Sequence, residues 1–366
     1  MLDKHTKIYV AGHQGLVGSA IWNNLQQRGF HNLIGCTHRE LDLLDAVAVR
    51  NFFDQEQPEA VVLAAAYVGG IMANLTYRAD FIYRNLQIQQ NVIGESFRHD
   101  VKKLLFLGST CIYPRDAQQP IREEELLTAP LEYTNEPYAI AKIAGLKLCE
   151  SFNLQYGTNY IAVMPTNLYG PNDNFHLERS HVLPAMMRKI YLSRLLSEKN
   201  WSAVRNDLNL RPVEGVDGQA DEAAITNILS KYGIAPGRVT LWGTGKPLRE
   251  FLWSEEMADA SVHVLLNVDF KDTYDATAQE VRNCHINVGS GREIAIKDLA
   301  EKIKAAVGFE GEIVWDSSKP DGTPRKLTDV KKLHALGWHH RIEIDEGIQR
   351  LFDWYRAGIG AAAATR

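Results

Sequence analysis

The segment that decides the fold is Lys7-Ile8-Tyr9-Val10-Ala11-Gly12-His13-Gln14-Gly15-Leu16-Val17-Gly18. Residues 7–11 are predicted to form a short buried strand, and residues 17–28 are predicted to form a helix. The glycines between them permit a tight turn and let a pyrophosphate approach the helix N-terminus, which favours negative charge. In this strand–loop–helix context, residues 12–18 are predicted to bind a dinucleotide. The alternative is a glycine-rich turn that binds no ligand.

Segments of the same two kinds alternate beyond this loop. Short apolar strands are predicted at 32–35, 60–66, 103–108 and 160–164, and helices at 47–55, 81–99 and 138–156. This alternation of buried strands with helices predicts a parallel, doubly wound sheet, which is a Rossmann-type α/β fold. The strands would end at one edge of the sheet, where folds of this kind bind their ligands.

The second half of the chain is less regular. Residues 1–165 are predicted to form the dinucleotide-binding domain, and residues 166–366 mainly a smaller α/β substrate-binding domain. Later strands near 239–257 and 283–292 are expected to return to the first sheet. Residues 192–237 are polar and contain several helix formers, and they are interpreted as an insertion. Its role, as a lid, an oligomer contact or a spacer, stays open.

The composition excludes several classes of protein. The net charge of the 366 residues is −5, so no basic surface for nucleic acid is indicated. No segment approaches the roughly 20 continuous apolar residues that cross a membrane, and the first residues lack the apolar region of a signal peptide. The four cysteines have no Cys-x-x-Cys spacing, so neither a disulfide framework nor a metal site is indicated. A cytoplasmic protein with free thiols is expected.

The residues after the second predicted strand bear on the kind of dinucleotide. An enzyme that uses NAD usually places an acid there, which holds the ribose 2′-hydroxyl. This chain has Cys36-Thr37-His38-Arg39 instead, and the guanidinium of Arg39 could bind a 2′-phosphate. NADP is therefore favoured over NAD. The alternative is that Arg39 is a solvated surface charge.

Four side chains in two short segments indicate a catalytic site. Ser109 and Cys111 follow the strand at 103–108, and Tyr138 and Lys142 lie one turn apart on one face of a predicted helix. A lysine beside a phenol favours the phenolate, and a serine hydroxyl can bond the same substrate oxygen. These three groups suit the reduction of a carbonyl. Cys111 is not needed for that reaction, so a second chemistry is indicated, unless the thiol only fills space.

These motifs carry a family resemblance. The chain resembles the GDP-L-fucose synthases, which are extended short-chain dehydrogenase/reductases, over nearly its whole length except about 192–237 and the tail. The tyrosine–lysine pair marks only the superfamily, whereas Ser-x-Cys with His181 and the stretch at 318–326 is far more specific. The resemblance rests on residues 12–18, 64–71, 109–111, 138–142, 165–170, 174–184, 242–245, 249–252 and 318–326.

The resemblance implies a two-step reaction on a GDP-sugar. GDP-4-keto-6-deoxy-D-mannose is inverted at C3 and C5, whose protons are acidic because both lie α to the C4 carbonyl, and C4 is then reduced with NADPH. By resemblance, Cys111 is the base and His181 the acid of the inversions. Ser109 and Tyr138 would hold the charge that develops on O4, and Tyr138 would protonate O4 during reduction. Lys142 would lower the tyrosine pKa and bind the nicotinamide ribose.

The resemblance also implies binding residues and a homodimer packed through the helices at 81–99 and 138–156. Trp242, one of the residues expected to contact the GDP-sugar, could as well pack in the core. Two positions depart from the pattern that is familiar in bacterial members of this family. Gln14 stands where an arginine is common, and His38-Arg39 stands in place of Arg-Asp, and both positions lie at the expected 2′-phosphate site. Contacts to NADP(H) are expected from residues 12–18 and from His38, Arg39, Leu43, Leu107, Gly108, Lys142, Pro165, Asn167, Leu168 and His181. Contacts to the GDP-sugar are expected from Lys189, Trp242, Arg249, Asp321 and Lys326.

Two other functions stay open at this point. Another nucleotide-sugar epimerase or dehydratase of the same superfamily would keep a tightly bound NAD and would need no cysteine–histidine pair for proton exchange. A catalytically silent dinucleotide sensor belongs to a different class of protein. Such proteins commonly lack the tyrosine or the lysine, and both are present here.

Overall fold

The computed structural model describes residues 2–177, 180–319 and 321–364. Its strands are β1 (Ile8–Ala11), β2 (Leu33–Ile34), β3 (Ala60–Leu63), β4 (Lys103–Leu107), β5 (Tyr160–Pro165), β6 (Asn167–Tyr169), β7 (Ile234–Ala235), β8 (Arg238–Trp242), β9 (Leu248–Trp253), β10 (Ile286–Val288), β11 (Glu293–Ala295), β12 (Glu312–Asp316) and β13 (Arg325–Lys326). Its helices are α1 (Leu16–Gln27), α2 (Ala46–Glu56), α3 (Ile71–Thr76), α4 (Arg78–Arg98), α5 (Glu136–Tyr156), α6 (Val182–Ser197), α7 (Trp201–Leu210), α8 (Glu222–Lys231), α9 (Ser254–Asn267), α10 (Ile296–Val307), α11 (Lys331–Ala335) and α12 (Ile344–Ala364).

The main sheet is parallel and has the strand order β10-β5-β4-β3-β1-β2. The chain passes from β1 to β2 on one side and then returns to β3 on the other side of β1. The strand order therefore reverses beside β1, and ligands of open α/β sheets bind at such a switch point. The Rossmann-type doubly wound fold predicted from the sequence is confirmed.

Helices cover both faces of the main sheet. Because successive side chains of a strand point to opposite faces, Ile8 and Val10 of β1 pack in one apolar cluster with α1 and α9. Tyr9 and Ala11 pack in a second cluster with α2, α4 and α5. Burial on both faces explains why these strands are uninterrupted apolar runs rather than alternating ones.

Of the later segments expected to return to the main sheet, 283–292 contributes β10, whereas β8 and β9 of 239–257 lie in other sheets. β10 joins the main sheet beside β5, as expected, and all its residues are buried. β8 instead pairs with β12 and β7 in a separate sheet. The reason is visible in its burial: Val239 and Leu241 are buried while Arg238 and Trp242 are exposed, so β8 has one solvent-facing side. β9 belongs to a further small sheet with β11 and β13, in which β6 also pairs with β9.

The chain divides into two compact units. The first unit contains the residues up to Leu168 together with Glu250–Arg292 and Lys326–Arg341. The second unit contains Tyr169–Arg249, Glu293–Arg325 and the residues from Ile342 onward. Among the residues that the structure describes, no helix is both long enough and apolar enough to cross a membrane.

The segment that sequence analysis interpreted as an insertion packs into the core of the second unit. Its helix α7 carries Asp207, which is fully buried and accepts a hydrogen bond from Arg188 Nε of α6 at 2.9 Å. The hydroxyl of Tyr355 in α12 donates to the other oxygen of the same carboxylate. Arg188 also donates to the carbonyl of Phe175 at 3.1 Å. These bonds tie α7 to the rest of the unit through a buried ion pair.

We expect the Asp207→Ala variant to be strongly destabilised. The substitution leaves the fully buried guanidinium of Arg188 without its counter-charge, which typically lowers the free energy of unfolding by about 3–5 kcal/mol. Urea unfolding would measure the loss. Glu346→Ala is the control, because it removes an exposed ion pair with Arg350 and should change stability by less than about 1 kcal/mol. Equal effects of the two substitutions would contradict this role of the buried pair.

Candidate active site

The glycine loop after β1 is packed too closely for side chains. A Cβ atom on Gly18 would lie 2.0 Å from the carbonyl oxygen of Gly12, and one on Gly12 would lie 2.8 Å from the backbone nitrogen of Ala65. Gly12 also has a φ of +84°, which favours glycine. The two glycines therefore let α1 begin directly against the loop and beside the end of β3, at the switch point of the main sheet.

The N-terminus of α1 fits a pyrophosphate. Gly15 is its N-cap residue, no side chain caps the helix, and its first turn contains no acidic residue. The first N–H groups of a helix lack partners within the helix, so they can donate to phosphate oxygens. Several other residues predicted to bind the cofactor lie in or near strands of the first unit: Leu43 beyond β2, Leu107 at the end of β4 with Gly108 directly after it, Pro165 at the end of β5, and Asn167 and Leu168 in β6.

An acid stands beyond β2, where sequence analysis expected none. The Glu40 carboxylate accepts a hydrogen bond from the backbone N–H of Thr37 at 2.7 Å, and this bond holds the pKa of that carboxyl below its usual range. Glu40 was missed because it lies three residues beyond Thr37 and reaches the strand end only by folding back. The Thr-x-x-Glu spacing, typical of a capping box, was the available signal. His38 and Arg39 are exposed beside it.

The serine–cysteine motif forms a short turn at the carboxyl end of β4. Ser109 precedes a single 3₁₀ turn over Thr110–Ile112, and its hydroxyl oxygen accepts the backbone N–H of Cys111 at 3.3 Å. The Cys111 side chain is buried and its thiol is free. The sequence thus places a hydroxyl and a thiol two residues apart on one turn at the ligand-binding edge of the sheet.

Tyr138 and Lys142 lie one turn apart in α5, as predicted. The Lys142 ammonium donates to the carbonyl of Leu107 at 2.7 Å and lies 5.8 Å from the centre of the Tyr138 ring. Burial lowers the pKa of Lys142 to about 8. Burial, with a smaller contribution from Cys111, raises the pKa of Tyr138. The expected lowering of the tyrosine pKa by Lys142 is therefore not seen, because the ammonium is bonded to a carbonyl instead.

Opposing influences act on the Cys111 thiol. Burial is the largest of them and raises its pKa, because a thiolate loses solvation in the protein interior. The ammonium of Lys326, the hydrogen bond with Ser109 and the ammonium of Lys142 lower it, in that order of size. Burial prevails, so the thiol form dominates in the ligand-free protein.

A buried polar network, which sequence analysis missed, fixes the cysteine turn. The hydroxyl of Tyr113 donates to the side-chain oxygen of Asn287 at 2.5 Å and lies 2.9 Å from Nε2 of His285. Asn287 lies in β10 and His285 directly precedes it, and both residues are fully buried. Only the pairing of β10 with β5 brings these residues to the turn, so no local pattern could have revealed them.

An exposed indole flanked by ammonium groups lies in the second unit. The Trp242 side chain is 60% exposed at the end of β8, so the alternative of core packing is wrong. Lys189 Nζ lies 5.9 Å and Lys319 Nζ 5.6 Å from the centre of its ring. Lys189 is buried, and burial lowers its pKa to about 8. Lys319 was not singled out from the sequence, although it belongs to the segment 318–326. A flat apolar face between two cations suits a base and a diphosphate.

Asp321 shapes the turn that follows Trp242. One carboxylate oxygen accepts the backbone N–H of Thr244 at 2.7 Å, and the other accepts the Thr244 hydroxyl at 2.6 Å. These bonds hold the pKa of Asp321 below its usual range. Arg249, at the start of β9, donates to the carbonyl of Leu248 at 2.8 Å. Burial lowers the pKa of its guanidinium, and the carboxylate of Asp321 partly opposes this effect. Both predicted substrate residues thus lie in the same unit as Trp242.

His181 is the N-cap residue of α6 in the second unit. Part of the residue is exposed, but protein surrounds much of the imidazole, and this desolvation lowers its pKa. At neutral pH the ring is therefore mostly uncharged. Its position before Val182 leaves the imidazole outside the regular helix, where it does not compete with the backbone hydrogen bonds of the first turn.

The model of the NAD dependent epimerase/dehydratase family matches residues 8–213 and 208–289. These ranges contain the glycine loop, the serine–cysteine turn and the tyrosine–lysine pair, and they cover well over half of the chain. The chain belongs to the NAD dependent epimerase/dehydratase family.

Two GDP-L-fucose synthases and one solved structure are similar to this chain over nearly its whole length. GDP-L-fucose synthase 1 of Arabidopsis thaliana is 50% identical, with 98% of this chain and 96% of the relative covered. GDP-L-fucose synthase of Escherichia coli (strain K12) is 48% identical, with 95% and 96% covered. A solved structure of a GDP-D-glycero-L-gluco-heptose synthase from Campylobacter jejuni, in the presence of NADPH, has a TM-score of 0.89 and 43% identity, with 97% of this chain and 100% of that chain covered. The resemblance to GDP-L-fucose synthases is confirmed.

Proposed function

We propose that the protein converts GDP-4-keto-6-deoxy-D-mannose to GDP-L-fucose, by inversion at C3 and C5 and then NADPH-dependent reduction at C4. The observation that carries this proposal is the buried Cys111 on the turn that also bears Ser109, in the same unit as Tyr138 and Lys142. Carbonyl reduction needs a proton donor and a positioned lysine but no thiol. A second proton-transfer chemistry at the same site accounts for the cysteine, and the relatives named GDP-L-fucose synthase support it.

The cofactor is NADP(H), and the chain offers groups for its pyrophosphate, its nicotinamide ribose and its 2′-phosphate. The pyrophosphate would bind the open N-terminus of α1 beside Gly12 and Gly18, and Lys142 would bind the nicotinamide ribose. Arg39 is exposed and free to turn toward a 2′-phosphate, with Glu40 beside it. When bound, NADPH supplies the hydride that C4 of the sugar accepts.

Inversion needs a base on one face of the sugar and an acid on the other. The Cys111 thiolate takes the proton from C3 or C5, and the electrons move to O4, where the hydroxyls of Ser109 and Tyr138 stabilise the enolate. The His181 imidazolium then delivers a proton to the opposite face. Each inversion leaves a thiol and a neutral imidazole, and proton exchange with solvent restores the starting forms. We propose these roles for Cys111 and His181 on the basis of the resemblance and of their chemistry.

The productive protonation state is a minority form in the ligand-free protein. Burial raises the pKa of Cys111, while desolvation lowers the pKa of His181, so a thiolate and an imidazolium rarely coexist at neutral pH. Any group that favours the thiolate then directly raises the fraction of active molecules. Tyr138, in contrast, is mostly in its productive form, because its raised pKa keeps the phenol protonated and able to donate to O4.

Reduction should weaken as the pH rises above about 8. The ammonium of Lys142 has a pKa lowered to about 8, so its charged form is present below this pH and is lost above it. A neutral Lys142 would no longer favour negative charge beside O4. Single-turnover reduction at a series of pH values would measure the decline. A rate that stays constant up to pH values near the ordinary lysine pKa would contradict this role.

The second unit supplies the recognition of the GDP-sugar in this proposal. The exposed face of Trp242 would stack on the base or sugar, and Lys189 and Lys319 would bind the diphosphate. Asp321 would act mainly by holding the turn after Trp242, since Thr244 occupies both its oxygens. Arg249 would add a guanidinium to the same binding surface.

The test of the proposed function is the stereochemistry of the product. The full-length protein is incubated with GDP-4-keto-6-deoxy-D-mannose and NADPH in deuterated water. We expect NADPH oxidation, deuterium at C3 and C5, and GDP-L-fucose as the product. Reduction without deuterium at these carbons, turnover of a GDP-heptose instead, or turnover of a UDP-hexose without NADPH loss would overturn the proposal.

We also propose a homodimer that works in the cytoplasm. Helices α4 and α5 pack against each other and expose large apolar side chains, which a partner would cover: Tyr83, Ile140, Leu154 and Tyr156. Free thiols at all four cysteines suit a reducing compartment. Sedimentation at low protein concentration would test the assembly against the mass of one chain, 41.2 kDa.

A further inference from the structure

The turn that carries Cys111 is anchored at both of its ends on the main sheet. Before the turn, the N–H of Gly108 donates to the carbonyl of Val163 in β5 at 2.8 Å. After the turn, the hydroxyl of Tyr113 donates to the side-chain oxygen of Asn287 in β10 at 2.5 Å. β5 and β10 are neighbouring strands, and the two anchoring residues lie within one residue of each other in their register. The second anchor depends on side chains alone, so its hydrogen bonds decide how firmly the turn is held.

The hydrogen bonds of Asn287 fix the orientation of its amide. Its side-chain nitrogen donates to the carbonyls of Ile121 at 3.0 Å and of Asp329 at 3.3 Å. Its backbone N–H donates to the carboxylate of Glu123 at 3.0 Å. Because carbonyls accept hydrogens and donate none, the end of the amide that faces Tyr113 is the oxygen. The single hydrogen of the Tyr113 hydroxyl is therefore used in the bond to Asn287.

The same hydroxyl fixes the tautomer of His285. Nε2 of His285 lies 2.9 Å from the phenol oxygen of Tyr113. Since the phenol hydrogen is already shared with Asn287, this contact is a hydrogen bond only if Nε2 carries a hydrogen and donates it to the phenol oxygen. A bare Nε2 would instead place two lone pairs against each other. The geometry therefore requires the Nε2–H form of the ring.

The ring of His285 is also kept neutral. Its Nδ1 is buried and has no hydrogen-bond partner among the residues that the structure describes, so an imidazolium would carry an N–H without an acceptor. The ammonium of Lys332 donates to the carbonyls of His285 at 3.0 Å and of Asn283 at 2.9 Å, and its charge opposes a second cation. Burial, and then the charges of Lys332 and Lys147, lower the pKa of His285 well below its usual range.

We propose that His285 is a positioning residue of the active site, whose Nε2–H donates to Tyr113 and, together with Asn287, holds the turn of Cys111 in place for proton transfer at C3 and C5. His285 is fully buried and acts only through Tyr113. This inference rests on the proposed function in naming the protons that Cys111 removes. Proton transfer depends on such an anchor because a displacement of about 1 Å can cost about 10²-fold in rate.

Displacement of the turn should affect the two reactions unequally. Cys111 lies on the turn itself, two residues before Tyr113, whereas Tyr138 and Lys142 lie on α5. Inversion at C3 and C5 should therefore slow more than reduction at C4. A general loss of folding would slow both reactions alike.

The first experiment determines the tautomer of His285 without substrate. The histidines of the full-length protein are isotope-labelled, and the NMR signals of His285 are identified by their absence from His285→Gln. We expect the nitrogen shifts of a ring with a hydrogen on Nε2 and a bare Nδ1, unchanged across the pH range in which exposed histidines titrate. A hydrogen on Nδ1, or a ring that becomes charged in that range, would overturn the proposal.

The second experiment compares proton exchange with reduction. In Tyr113→Phe and His285→Leu, deuterium entry at C3 and C5 should slow about tenfold, while reduction of a ketone that already has both inverted centres should stay within about twofold of the parent rate. His285→Gln should recover most of the exchange, because the glutamine amide can place an N–H near the position of Nε2. Tyr160→Phe is the matched control, since Tyr160 is buried in β5 and its hydroxyl has no hydrogen-bond partner in the described part of the chain.

The outcomes separate a positioning role from support of the fold. Equal losses of exchange and reduction, or equal losses of exchange in His285→Gln and His285→Leu, would overturn the proposal. A tenfold slower exchange in Tyr160→Phe would do the same. Absence of exchange in the parent protein would contradict the proposed function, whereas a hydrogen on Nδ1 with normal exchange in the parent would contradict this inference alone.

Discussion

Replacement of Tyr138 with phenylalanine should lower the rate of C4 reduction by about 10²- to 10⁴-fold, the usual contribution of a positioned proton donor. The phenol is the group that protonates O4 as the hydride arrives. Burial raises its pKa, so the proton is in place throughout the neutral range. Exchange at C3 and C5 should slow much less, because the Ser109 hydroxyl can still hold the charge on O4. NADPH oxidation and deuterium incorporation, measured on the same samples, would separate the two effects.

Tyr156→Phe is the matched control for this variant. Tyr156 ends the same helix, α5, and its side chain is exposed, so loss of its hydroxyl should leave both rates unchanged. NADPH binding should survive in Tyr138→Phe, because the glycine loop and Lys142 are intact. If exchange and reduction fell equally, Tyr138 would act on the enolate alone and would not be the proton donor of the reduction.

Replacement of Cys111 with serine should abolish deuterium entry at C3 and C5, with a loss of about 10²- to 10⁴-fold. Overall turnover should fall with it, because reduction follows the inversions. A serine hydroxyl is a far weaker acid than a thiol and supplies almost no alkoxide, whereas the Cys111 thiol supplies a minority of thiolate, which the charges of Lys326 and Lys142 favour. Serine is close to cysteine in size, so the buried turn should fold as before. Deuterium incorporation measured by mass spectrometry would give the rate of each inversion.

Cys36→Ser is the control, since Cys36 is a half-buried cysteine beyond β2 with no role in the proposed reaction. A supplied ketone that already has the inverted C3 and C5 centres should still be reduced by Cys111→Ser, because Tyr138 and Lys142 remain. Exchange that continues at the parent rate would remove Cys111 from its assigned role. Loss of reduction of the inverted ketone would show that the substitution had damaged the whole site.

Local patterns were sufficient to predict the main sheet and part of the site. A strand such as β1, with the glycines that follow it, is specified by neighbouring residues, because buried runs and tight turns depend on short-range sequence. Tyr138 and Lys142 were predictable for the same reason, since helical spacing alone puts them on one face. The serine–cysteine turn was found because both residues lie directly after β4.

Contacts between distant segments were not predictable. β8 was assigned to the wrong sheet, because a short apolar strand does not reveal its partner until β12 is seen to pair with it. The Glu40 carboxylate was missed because it reaches the strand end by folding back, and Asn287 was missed because it lies 174 residues from Tyr113. Lys319 became a candidate only through its distance from Trp242.

The sequence by itself determined which chemical groups the protein holds and on which local elements they lie. The glycine loop, the Ser109–Cys111 turn and the Tyr138–Lys142 helix each follow from interactions between residues close in the chain. The tertiary structure alone decided the environment of these groups. Burial sets the pKa of Cys111, Tyr138 and Lys142, and the pairing of β10 with β5 brings Asn287 to the hydroxyl of Tyr113, two residues after Cys111. Solvation and charge act through space, so they depend on segments that the sequence keeps far apart.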